Sequence, residues 1–393
     1  MEDATVVIAG GARTAMGGLN GALAGMSATQ LGAAAIRAAV ARSGLQGEDI
    51  DEVIMGCVLP AGLRQGPARQ AAIAAGIPKS AGATTVNKLC GSGMQAVIFA
   101  HDQLRAGTNR IMVAGGMESM SGAPHLLLNA RAGYRLGHVE AKDHMFLDGL
   151  EDAYTGRLMG TFAQETANEY GLTRADMDRF AIQSLARAKA AIESGALKEE
   201  IVAVTVTGRK GDTVVDTDEQ PLAANPAKIP TLKPAFSQDG TITAANSSSI
   251  SDGASALVLT TAGEAKRRGL QPMARILGHA RHSHEPGLFT TAPISAIGNL
   301  FHKLGWTKGD VDLFEINEAF AMVTMLAIRE LGLDEARVNV HGGACAQGHP
   351  IGSTGSRLVV TLMHALRHHG GRRGVASQCI GGGEATAVAI ELL

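Results

Sequence analysis

The chain has 393 residues, of which 45% are hydrophobic and 18% charged, and its formal net charge is −2. This composition predicts a globular protein of two or three domains. The near-neutral charge gives no electrostatic reason to expect nucleic acid or a membrane surface as partner, and an aromatic content of 3% argues against stacking platforms for single-stranded nucleic acid. Because we find neither a membrane-spanning apolar run nor a signal-peptide pattern, we expect a cytoplasmic protein.

The first predicted elements are a strand over residues 5–8, a glycine-broken loop and a helix over residues 27–43. Ser27 and Thr29 are both suitable N-caps for this helix. Residues 44–54 then form a turn followed by a second strand. Strands and helices therefore alternate from the start of the chain, which is typical of an α/β protein.

Cys90 lies at a turn between a predicted strand over residues 83–86 and a predicted helix over residues 94–104. At such a turn the backbone N–H groups and the helix dipole favour negative charge. We therefore expect a lowered thiol pKa and a nucleophilic thiolate. Gly91 and Gly93 leave room for a substrate carbonyl beside the backbone. A buried structural cysteine remains an equal alternative on this segment alone.

Three segments of the first part of the chain resemble three segments of the last part, and they occur there in the same order. The paired ranges are 44–54 with 305–314, 111–118 with 375–384, and 254–259 with 385–390. Three ordered matches indicate two halves of one ancestral fold. Cys90 lies 39 residues after Asp51, and His349 lies 37 residues after Asp312. The duplication therefore predicts that Cys90 and His349 occupy related turns that a pseudo-twofold axis brings together.

The comparison of the two halves also locates an insertion. We expect residues 1–119 with 251–271 to form the first half, residues 120–250 an inserted loop subdomain, and residues 272–393 the second half. Each half alternates strands with helices, so we expect two sheets covered by helices and packed face to face.

The insertion has its own predicted elements. A helical pattern covers residues 174–193, and a hydrophilic strand-and-turn region covers residues 202–218. Four prolines between residues 221 and 234 mark an irregular loop.

His349 lies in a glycine-rich turn that precedes a predicted helix over residues 353–367. Glycine-rich turns before helices often bind phosphate, but here His349 and Pro350 stand where a phosphate-binding loop needs Lys followed by Ser or Thr. We therefore exclude a phosphate-binding loop. Judged from this turn alone, a structural histidine is the favoured interpretation, and a catalytic histidine is the alternative.

Two further strand ends carry reactive or polar side chains. Cys379 ends a strand over residues 375–378 and precedes three glycines, so its thiol could act as an acid or base beside an oxyanion hole. Asn317 follows a strand over residues 312–316, where helix capping alone would explain it. Core packing is the alternative for Cys379. Because active sites of open α/β sheets collect at strand ends, we expect Cys90, Asn317, His349 and Cys379 to form one site.

Along essentially its whole length the chain resembles the thiolases, the family of acetyl-CoA acetyltransferase and 3-ketoacyl-CoA thiolase. The motifs that carry the resemblance are Asn87-Lys88-Leu89-Cys90-Gly91-Ser92-Gly93, Asn317-Glu318-Ala319-Phe320, Gly348-His349-Pro350-Ile351-Gly352 and Cys379-Ile380-Gly381-Gly382-Gly383. The resemblance implies two five-stranded mixed sheets layered with helices in αβαβα order. It also implies acyl-coenzyme A substrates, and a homotetramer, a dimer of dimers, that assembles partly through the inserted loop.

The resemblance also implies a role for each motif residue. Cys90 would be the acylated nucleophile, and His349 would take its proton. Cys379 would move the α-proton of acetyl-CoA, while Asn317, through a water, and His349 would stabilise the enolate oxygen. The N–H groups of Cys90 and Gly381 would form a second oxyanion hole. The expected kinetics are ping-pong, with coenzyme A as substrate and with neither a metal nor a permanently bound cofactor.

The coenzyme A contacts implied by the resemblance centre on the loop 243–253. Ala244 and Ser248 would face the pantetheine, and the tunnel around it would be lined by Leu150, Met159, Phe236, Ile250, Phe289, Ala319 and Phe320. For the three phenylalanines core packing is an equal alternative. Candidates for the contact to the nucleotide phosphates are Lys210, Lys228 and Lys233, but for each of them a solvated surface charge is the favoured interpretation.

Two positions depart from the short-chain thiolase pattern. Leu158 stands where those enzymes have a histidine before the Met-Gly pair, and Phe289 stands where many of them have methionine. Both lie at the predicted acyl end of the tunnel, so a longer or branched 3-ketoacyl substrate is an open alternative to acetoacetyl-CoA.

Other readings of the sequence are weaker. His279, His282, His284 and Glu285 could suggest a metal site, but an irregular polar loop is the favoured interpretation. The nearest alternative is another condensing enzyme, of the ketoacyl synthase type. Those enzymes lack a second cysteine at the position of Cys379, so its presence favours a thiolase. A non-catalytic acyl-CoA or lipid-binding protein would not need the four polar residues of the predicted site.

Overall fold

The computed structural model describes residues 2–208 and 211–393. The first half contains strands β1 (Val6–Thr14), β2 (Gly17–Gly18), β3 (Glu52–Gly56), β4 (Gly82–Val86) and β5 (Ile111–Ser119), with helices α1 (Ala28–Ser43), α2 (Pro67–Ala74) and α3 (Ser92–Arg105). The chain then forms β6 (His125–Leu126), β7 (Lys142–Asp143), α4 (Met159–Glu169), α5 (Arg174–Ser194), β8 (Ile201–Val202), β9 (Val204–Gly208), β10 (Gly211–Val215) and α6 (Glu219–Ala223).

After this insertion the chain returns to the first half with β11 (Ser251–Thr261) and α7 (Ala262–Arg268). The second half follows, with β12 (Ala274–Ser283), α8 (Ala292–Leu304), β13 (Leu313–Ile316), α9 (Ala321–Leu331), α10 (Ala344–Gln347), α11 (Thr354–His369), β14 (Arg373–Ile380) and β15 (Glu384–Leu392). Within the described residues, no helix combines the length and apolarity that crossing a membrane requires.

The predicted mixed α/β architecture of two halves is confirmed, with two differences in detail. In the first half the strands are ordered β1-β11-β5-β3-β4, and in the second β12-β15-β14-β13. The fifth strand of the second half is reduced to an isolated bridge between Phe314 and Val338. The two sheets are also joined, because β1 pairs with β12 through Val7–Arg275 and Ile8–Ala274.

The central layer consists of α3 and α11, which pack against each other and against strands of both halves. Residues 354–366 of α11 are buried throughout. Its apolar side chains form one core with those of α3 and of both sheets, so burial on all sides, rather than amphipathicity, positions this helix. Because α3 begins just after Cys90 and α11 just after His349, the two turns lie at the same end of the central layer.

The duplication is visible in the hydrogen bonds of two aspartates, and it corrects one predicted register. Asp51 accepts hydrogen bonds from the N–H groups of Arg110 and Ile111, and Asp312 accepts the same pair from Arg372 and Arg373. Residue 111 therefore corresponds to residue 373, and not to residue 375 as the sequence comparison indicates. Glycine-rich segments resemble one another over several registers, and strand pairing selects one of them.

Most predicted local elements are confirmed with longer boundaries. Ser27, not Thr29, caps α1, because its side chain accepts from the N–H of Gln30 in a capping box. The proline-rich segment is more regular than predicted, since α6 contains Pro221 and a 3₁₀ turn covers Pro226–Thr231.

The polar segment that begins at His279 is only partly the predicted irregular loop: the prediction is confirmed for His284 and Glu285, which follow a strand, and wrong for the two histidines before them. His279 and His282 belong to β12, which pairs with β15 along its length. This long-range pairing overrides the local polar composition. The Nε2 atom of His279 lies 2.9 Å from a carboxylate oxygen of Asp102 on α3.

A buried ion cluster fastens the insertion to the first half. The guanidinium of Arg13 on β1 donates to Glu200 at 2.6 Å and to Asp218 at 2.7 and 2.9 Å. All three side chains are buried. A buried charge is tolerated only when it is paired and hydrogen-bonded, so this cluster fixes where the insertion leaves the core.

Candidate active site

The turn that carries Cys90 is held in a strained conformation. Leu89 has φ +48°, a left-handed conformation that costs a non-glycine residue about 1–3 kcal/mol. The side chain of Ser92 compensates, because it accepts from the N–H of Lys88 at 2.9 Å and donates to the carbonyl of Leu89 at 2.6 Å. Lys88 also forms an ion pair with Glu384 of the second half. The thiol of Cys90 is thus held at a fixed point.

The expectation that the helix lowers the pKa of Cys90 is wrong. Burial raises the pKa of this thiol to about 11, although the backbone N–H groups of Gly381 and of Cys90 itself act in the opposite direction. An apolar environment disfavours the thiolate more than two N–H groups favour it. Cys90 is therefore a neutral thiol at pH 7, and a base must take its proton before it attacks.

His349 is oriented to be that base. Its Nδ1 atom lies 2.5 Å from the hydroxyl of Thr354, which itself donates to the carbonyl of Pro350 at 3.0 Å. Since the hydroxyl hydrogen is used, Thr354 accepts from an Nδ1–H group, and Nε2 carries the free lone pair. Burial, assisted by the charge of Arg357, lowers the pKa of His349 to about 3. The imidazole is therefore neutral at pH 7.

Cys379 lies in β14, one residue before the strand end, and pairs with Ala385 of β15. It is buried. Burial raises its pKa well above the ordinary value, and the neighbouring Cys90 adds to the effect. Cys379 thus remains protonated near neutral pH and lies close enough to Cys90 for the two thiols to interact electrostatically.

Asn317 follows β13 and is buried, but it does not cap a helix. The next helix, α9, begins at Ala321 with Phe320 preceding it. The N–H of Asn317 donates to the carbonyl of Ser377 at 2.9 Å, while its side-chain amide makes no hydrogen bond within the described residues. The capping explanation is therefore wrong, and a buried amide without a structural partner is the kind of group that marks a functional site.

One cavity of about 510 Å³ is lined by three of the four predicted catalytic residues. Its floor includes Cys90, His349, Cys379 and Gly381. Its walls include all the predicted tunnel residues except one: Leu150, Leu158, Met159, Phe236, Ser248, Ile250, Phe289, Ala319 and Phe320. Phe236 and Phe289 each meet Phe320 edge to face, with ring centroids 6.0 and 6.4 Å apart. The same side chains therefore pack with each other and line the cavity.

The structure places Ala244 elsewhere. It lines a neighbouring cavity of about 290 Å³ together with Lys228 and Ser249. Lys233 is exposed and lines neither cavity, and Lys210 lies outside the described residues. Asn317 is likewise absent from the lining of the main cavity.

Glu118 and Glu318 support the site, and sequence reasoning missed both. Glu118 is buried at the end of β5 and accepts from the N–H groups of Val58, Leu59 and Gly352 at 2.9, 3.1 and 2.8 Å. It thereby joins the first half to the turn that carries His349. An acid two residues after the paired glycines of β5 was the available signal.

Glu318 acts in the same way in the second half. Its carboxylate accepts from the hydroxyl of Ser184 at 2.7 Å, from the amide of Asn339 at 2.9 Å and from the N–H of Cys345 at 3.1 Å. Helix α5 of the insertion is thus bonded to the turns around Asn317 and His349. In the sequence, the signal for this role was the position of Glu318 directly after Asn317.

The site combines two thiols, a neutral imidazole and converging backbone N–H groups within a duplicated α/β fold. This combination defines an enzyme class that works through a cysteine nucleophile. Comparison with known families identifies the group within this class. Residues 6–263 match the thiolase N-terminal domain and residues 270–392 the thiolase C-terminal domain. The chain belongs to the thiolase family.

Curated relatives and solved structures agree with this assignment. The acetyl-CoA acetyltransferases of Pseudomonas aeruginosa and Cupriavidus necator are each 46% identical to the chain, covering 99% and 98% of it and 99% of their own lengths. The acetyl-CoA acetyltransferase of Bacillus anthracis superposes with a TM-score of 0.97 at 39% identity, and 99% of each chain is covered. The Acat5 thiolase of Ascaris suum in complex with coenzyme A gives a TM-score of 0.94 at 41% identity, covering 99% of this chain and 100% of that one.

Proposed function

We propose that the protein transfers acyl groups between coenzyme A thioesters by reversible condensation of acetyl-CoA with an acyl-CoA, and by thiolysis of 3-ketoacyl-CoA in reverse. The observation that carries this proposal is the convergence of Cys90, His349, Cys379 and Gly381 on one largely apolar cavity. Full-length relatives that are acetyl-CoA acetyltransferases support it.

In the first half-reaction the sulfur of Cys90 attacks the thioester carbonyl while Nε2 of His349 accepts the thiol proton. The carbon–sulfur bond to coenzyme A breaks, and the departing thiolate receives that proton, so charge and protons balance. The N–H groups of Cys90 and Gly381, which already act on the sulfur of Cys90, would bind the developing oxyanion. Coenzyme A then leaves an acylated Cys90.

In the half-reaction that makes or breaks the carbon–carbon bond, which is the second in synthesis and the first in thiolysis, Cys379 moves a proton at the α-carbon. In thiolysis its thiol gives the proton to the departing enolate of acetyl-CoA, and the raised pKa keeps that proton available. In synthesis the same steps run backwards: neutral His349 first takes the thiol proton of Cys379, and the resulting thiolate takes the α-proton. The new carbanion then attacks the acyl carbon, the bond to Cys90 breaks, and the released Cys90 thiolate recovers the proton from His349. We propose that Asn317, acting through a water, and His349 stabilise the enolate oxygen, because neither Nε2 of His349 nor the amide of Asn317 has a hydrogen-bond partner within the described residues.

We propose that the pantetheine arm passes Ser248 and the phenylalanines of the cavity wall. Ser248 is held by its N–H, which donates to the carbonyl of Ala319 at 2.9 Å. The neighbouring cavity with Ala244 and Lys228 would then receive the nucleotide end. If so, Lys228→Gln raises the KM for coenzyme A with little change in kcat, whereas Lys233→Gln changes neither. Equal effects of the two variants would contradict this path.

We propose further that the insertion, residues 120–250, completes coenzyme A binding and assembles a homotetramer in the cytoplasm. Leu128, Tyr134, Leu136 and Val139 on its tip are exposed, and exposed apolar clusters mark interaction surfaces. All four cysteines are unpaired, as is usual in a reducing compartment. Sedimentation of Leu136→Glu tests the assembly, because a variant that remains a tetramer would exclude this tip as a contact.

The acyl-enzyme gives the most direct test of the activity. Protein incubated with radiolabelled acetyl-CoA and quenched in acid should carry one acetyl group per chain on Cys90, located by peptide mapping. Cys90→Ala should carry none. The buried Cys57 provides the control variant, Cys57→Ala, which should label normally. Absence of label in the wild type, or label that survives in Cys90→Ala, would contradict the proposed function.

A further inference from the structure

Three histidines with no part in the proposed catalysis meet at the far end of α11. His368 and His369 form its last turn, and His341 lies in the turn that precedes α10. The ring centroids of the three imidazoles are 5.5, 5.2 and 5.1 Å apart, which is nearly an equilateral triangle. One nitrogen from each ring lies within 4.8 Å of the others.

The separation of two of these nitrogens matches that of two ligands of one tetrahedral ion, and the third nitrogen lies close to both. Zinc–nitrogen bonds of about 2.0–2.1 Å place two tetrahedral ligand nitrogens about 3.3 Å apart. The Nε2 atoms of His341 and His369 are 3.2 Å apart. Two of the ligands come from one helix end and the third from a segment that reaches it through tertiary packing.

An ordinary hydrogen bond between His341 and His369 explains this arrangement less well. In an N–H···N bond only one ring donates, and His368 has no role in it. Whichever ring donates, the Nδ1 atom of His341 remains buried without a partner in the part of the chain that the structure describes. The convergence of a third imidazole therefore needs a different explanation.

A buried carboxylate stands near His341 on the side away from solvent. Among the surrounding charged groups, Glu200 interacts most strongly with the imidazole of His341. Glu200 is fully buried, and its Oε2 atom has no hydrogen-bond partner among residues 2–208 and 211–393. Carboxylates behind a histidine ligand are a common support for metal sites, because they fix the tautomer of the ring.

We propose that His341, His368 and His369 form a binding site for a transition-metal dication of the zinc class, with a fourth position open to water. Imidazole ligands select zinc, copper or nickel over magnesium and calcium. The C-terminal end of α11 adds a favourable dipole for a cation. None of the three residues lines the catalytic cavity, so the ion would tie the end of α11 to the turn of His341 and stabilise the fold.

Calorimetric titration with Zn²⁺ of tag-free protein, pretreated with a chelator, tests the site. We expect one Zn²⁺ per chain and a higher melting temperature when it is bound. His368→Gln and His369→Gln should each weaken binding about tenfold or more. The matched control is His302→Gln, which removes an exposed histidine from the last turn of another helix, α8, and should bind as the wild type does. Absence of binding, or equal affinity in His369→Gln, would overturn the proposal.

Thiols also bind zinc, so the titration is repeated with Cys90→Ala. Retained affinity supports the histidine site, and loss of binding overturns it. Substitution of the exposed His368 and His369 avoids the folding risk of changing the buried His341. With Co²⁺ as probe, visible absorption typical of tetrahedral coordination is expected in the wild type and should disappear in His369→Gln. Octahedral spectra in both would contradict the three-histidine geometry.

Discussion

The floor and the wall of the catalytic cavity are built by different parts of the chain. In the floor, Cys90 and Cys379 lie at or near strand ends and His349 lies in the turn before α11, and these residues are positioned by hydrogen bonds and by β-pairing. Much of the wall comes from the insertion, through Leu158 and Phe236 among others, and consists of apolar side chains in mutual contact.

This difference separates two kinds of requirement. The chemistry needs protons and lone pairs at fixed points, and the floor supplies them through contacts that cross between the halves, such as that of Glu118 with Gly352. The acyl chain needs only space of the right size, and an apolar wall supplies it without directional bonds. Substitutions in the floor should therefore lower kcat, whereas those in the wall should change which substrate is preferred.

The largest effect is expected for His349→Ala. Loss of a general base typically lowers a rate about 10²- to 10⁴-fold, and here the neutral thiol of Cys90 depends on that base. Single-turnover acylation with acetyl-CoA measures the step. His364→Ala, which removes a buried histidine of α11 outside the cavity, is the control and should acylate normally. Equal rates in the two variants would sink the assigned role.

Thr354→Val should have a smaller effect, because it leaves the base in place but removes the acceptor for its Nδ1–H. An unbonded buried donor costs about 1–3 kcal/mol, so we expect kcat to fall about tenfold or more with KM little changed. Thr354→Ser keeps the hydroxyl and should restore the rate. If Thr354→Ser is as impaired as Thr354→Val, packing of the methyl group, not the tautomer, explains the loss.

In the wall, Leu158→Ala should change specificity with little effect on the chemical step. A methylene in an apolar pocket is worth about 1–3 kcal/mol. We therefore expect the ratio of kcat/KM for a six-carbon over a four-carbon 3-ketoacyl-CoA to rise about fivefold or more. Leu222→Ala removes an exposed leucine of the insertion and serves as control. If kcat/KM falls by the same factor for both substrates, Leu158 contributes to the chemical step. That result would contradict the proposed difference between floor and wall.

The smallest effect is expected from pH. His349 has its pKa lowered to about 3, and Cys90 has its pKa raised to about 11, so neither changes charge between pH 5 and 9. The base form of the histidine is lost only as pH falls towards 3. The rate of single-turnover acylation should therefore vary less than about twofold over this range. An inflection near pH 6.5 would show that His349 titrates like a solvated histidine.

The floor could be predicted from sequence because each of its residues stands in or beside a glycine-rich turn, and the duplication relates two of these turns. The reversed pKa shift of Cys90 could not, since it depends on how completely other segments bury the thiol. Thr354 was overlooked because its role arises from a side-chain contact one turn into α11. Glu118 joins segments that are far apart in the sequence.

The wall was predicted through the family resemblance, and its one misplaced residue shows the limit of that approach. Ala244 lies only four positions from Ser248, yet the loop turns it into the neighbouring cavity. The direction of a side chain in such a loop depends on tertiary contacts, here the hydrogen bonds of Asn246 with the N–H of Thr243 and with Asp178. No local pattern contains that information.

The central claim is that the two cysteines of the floor perform different steps, and Cys379→Ala tests it most directly. Acetyl transfer from radiolabelled acetyl-CoA to Cys90 is measured in parallel with acetoacetyl-CoA formation. The account predicts that the variant still acylates Cys90 at close to the wild-type rate and loses carbon–carbon bond formation. Full condensation activity in Cys379→Ala, or loss of acylation together with condensation, would contradict it.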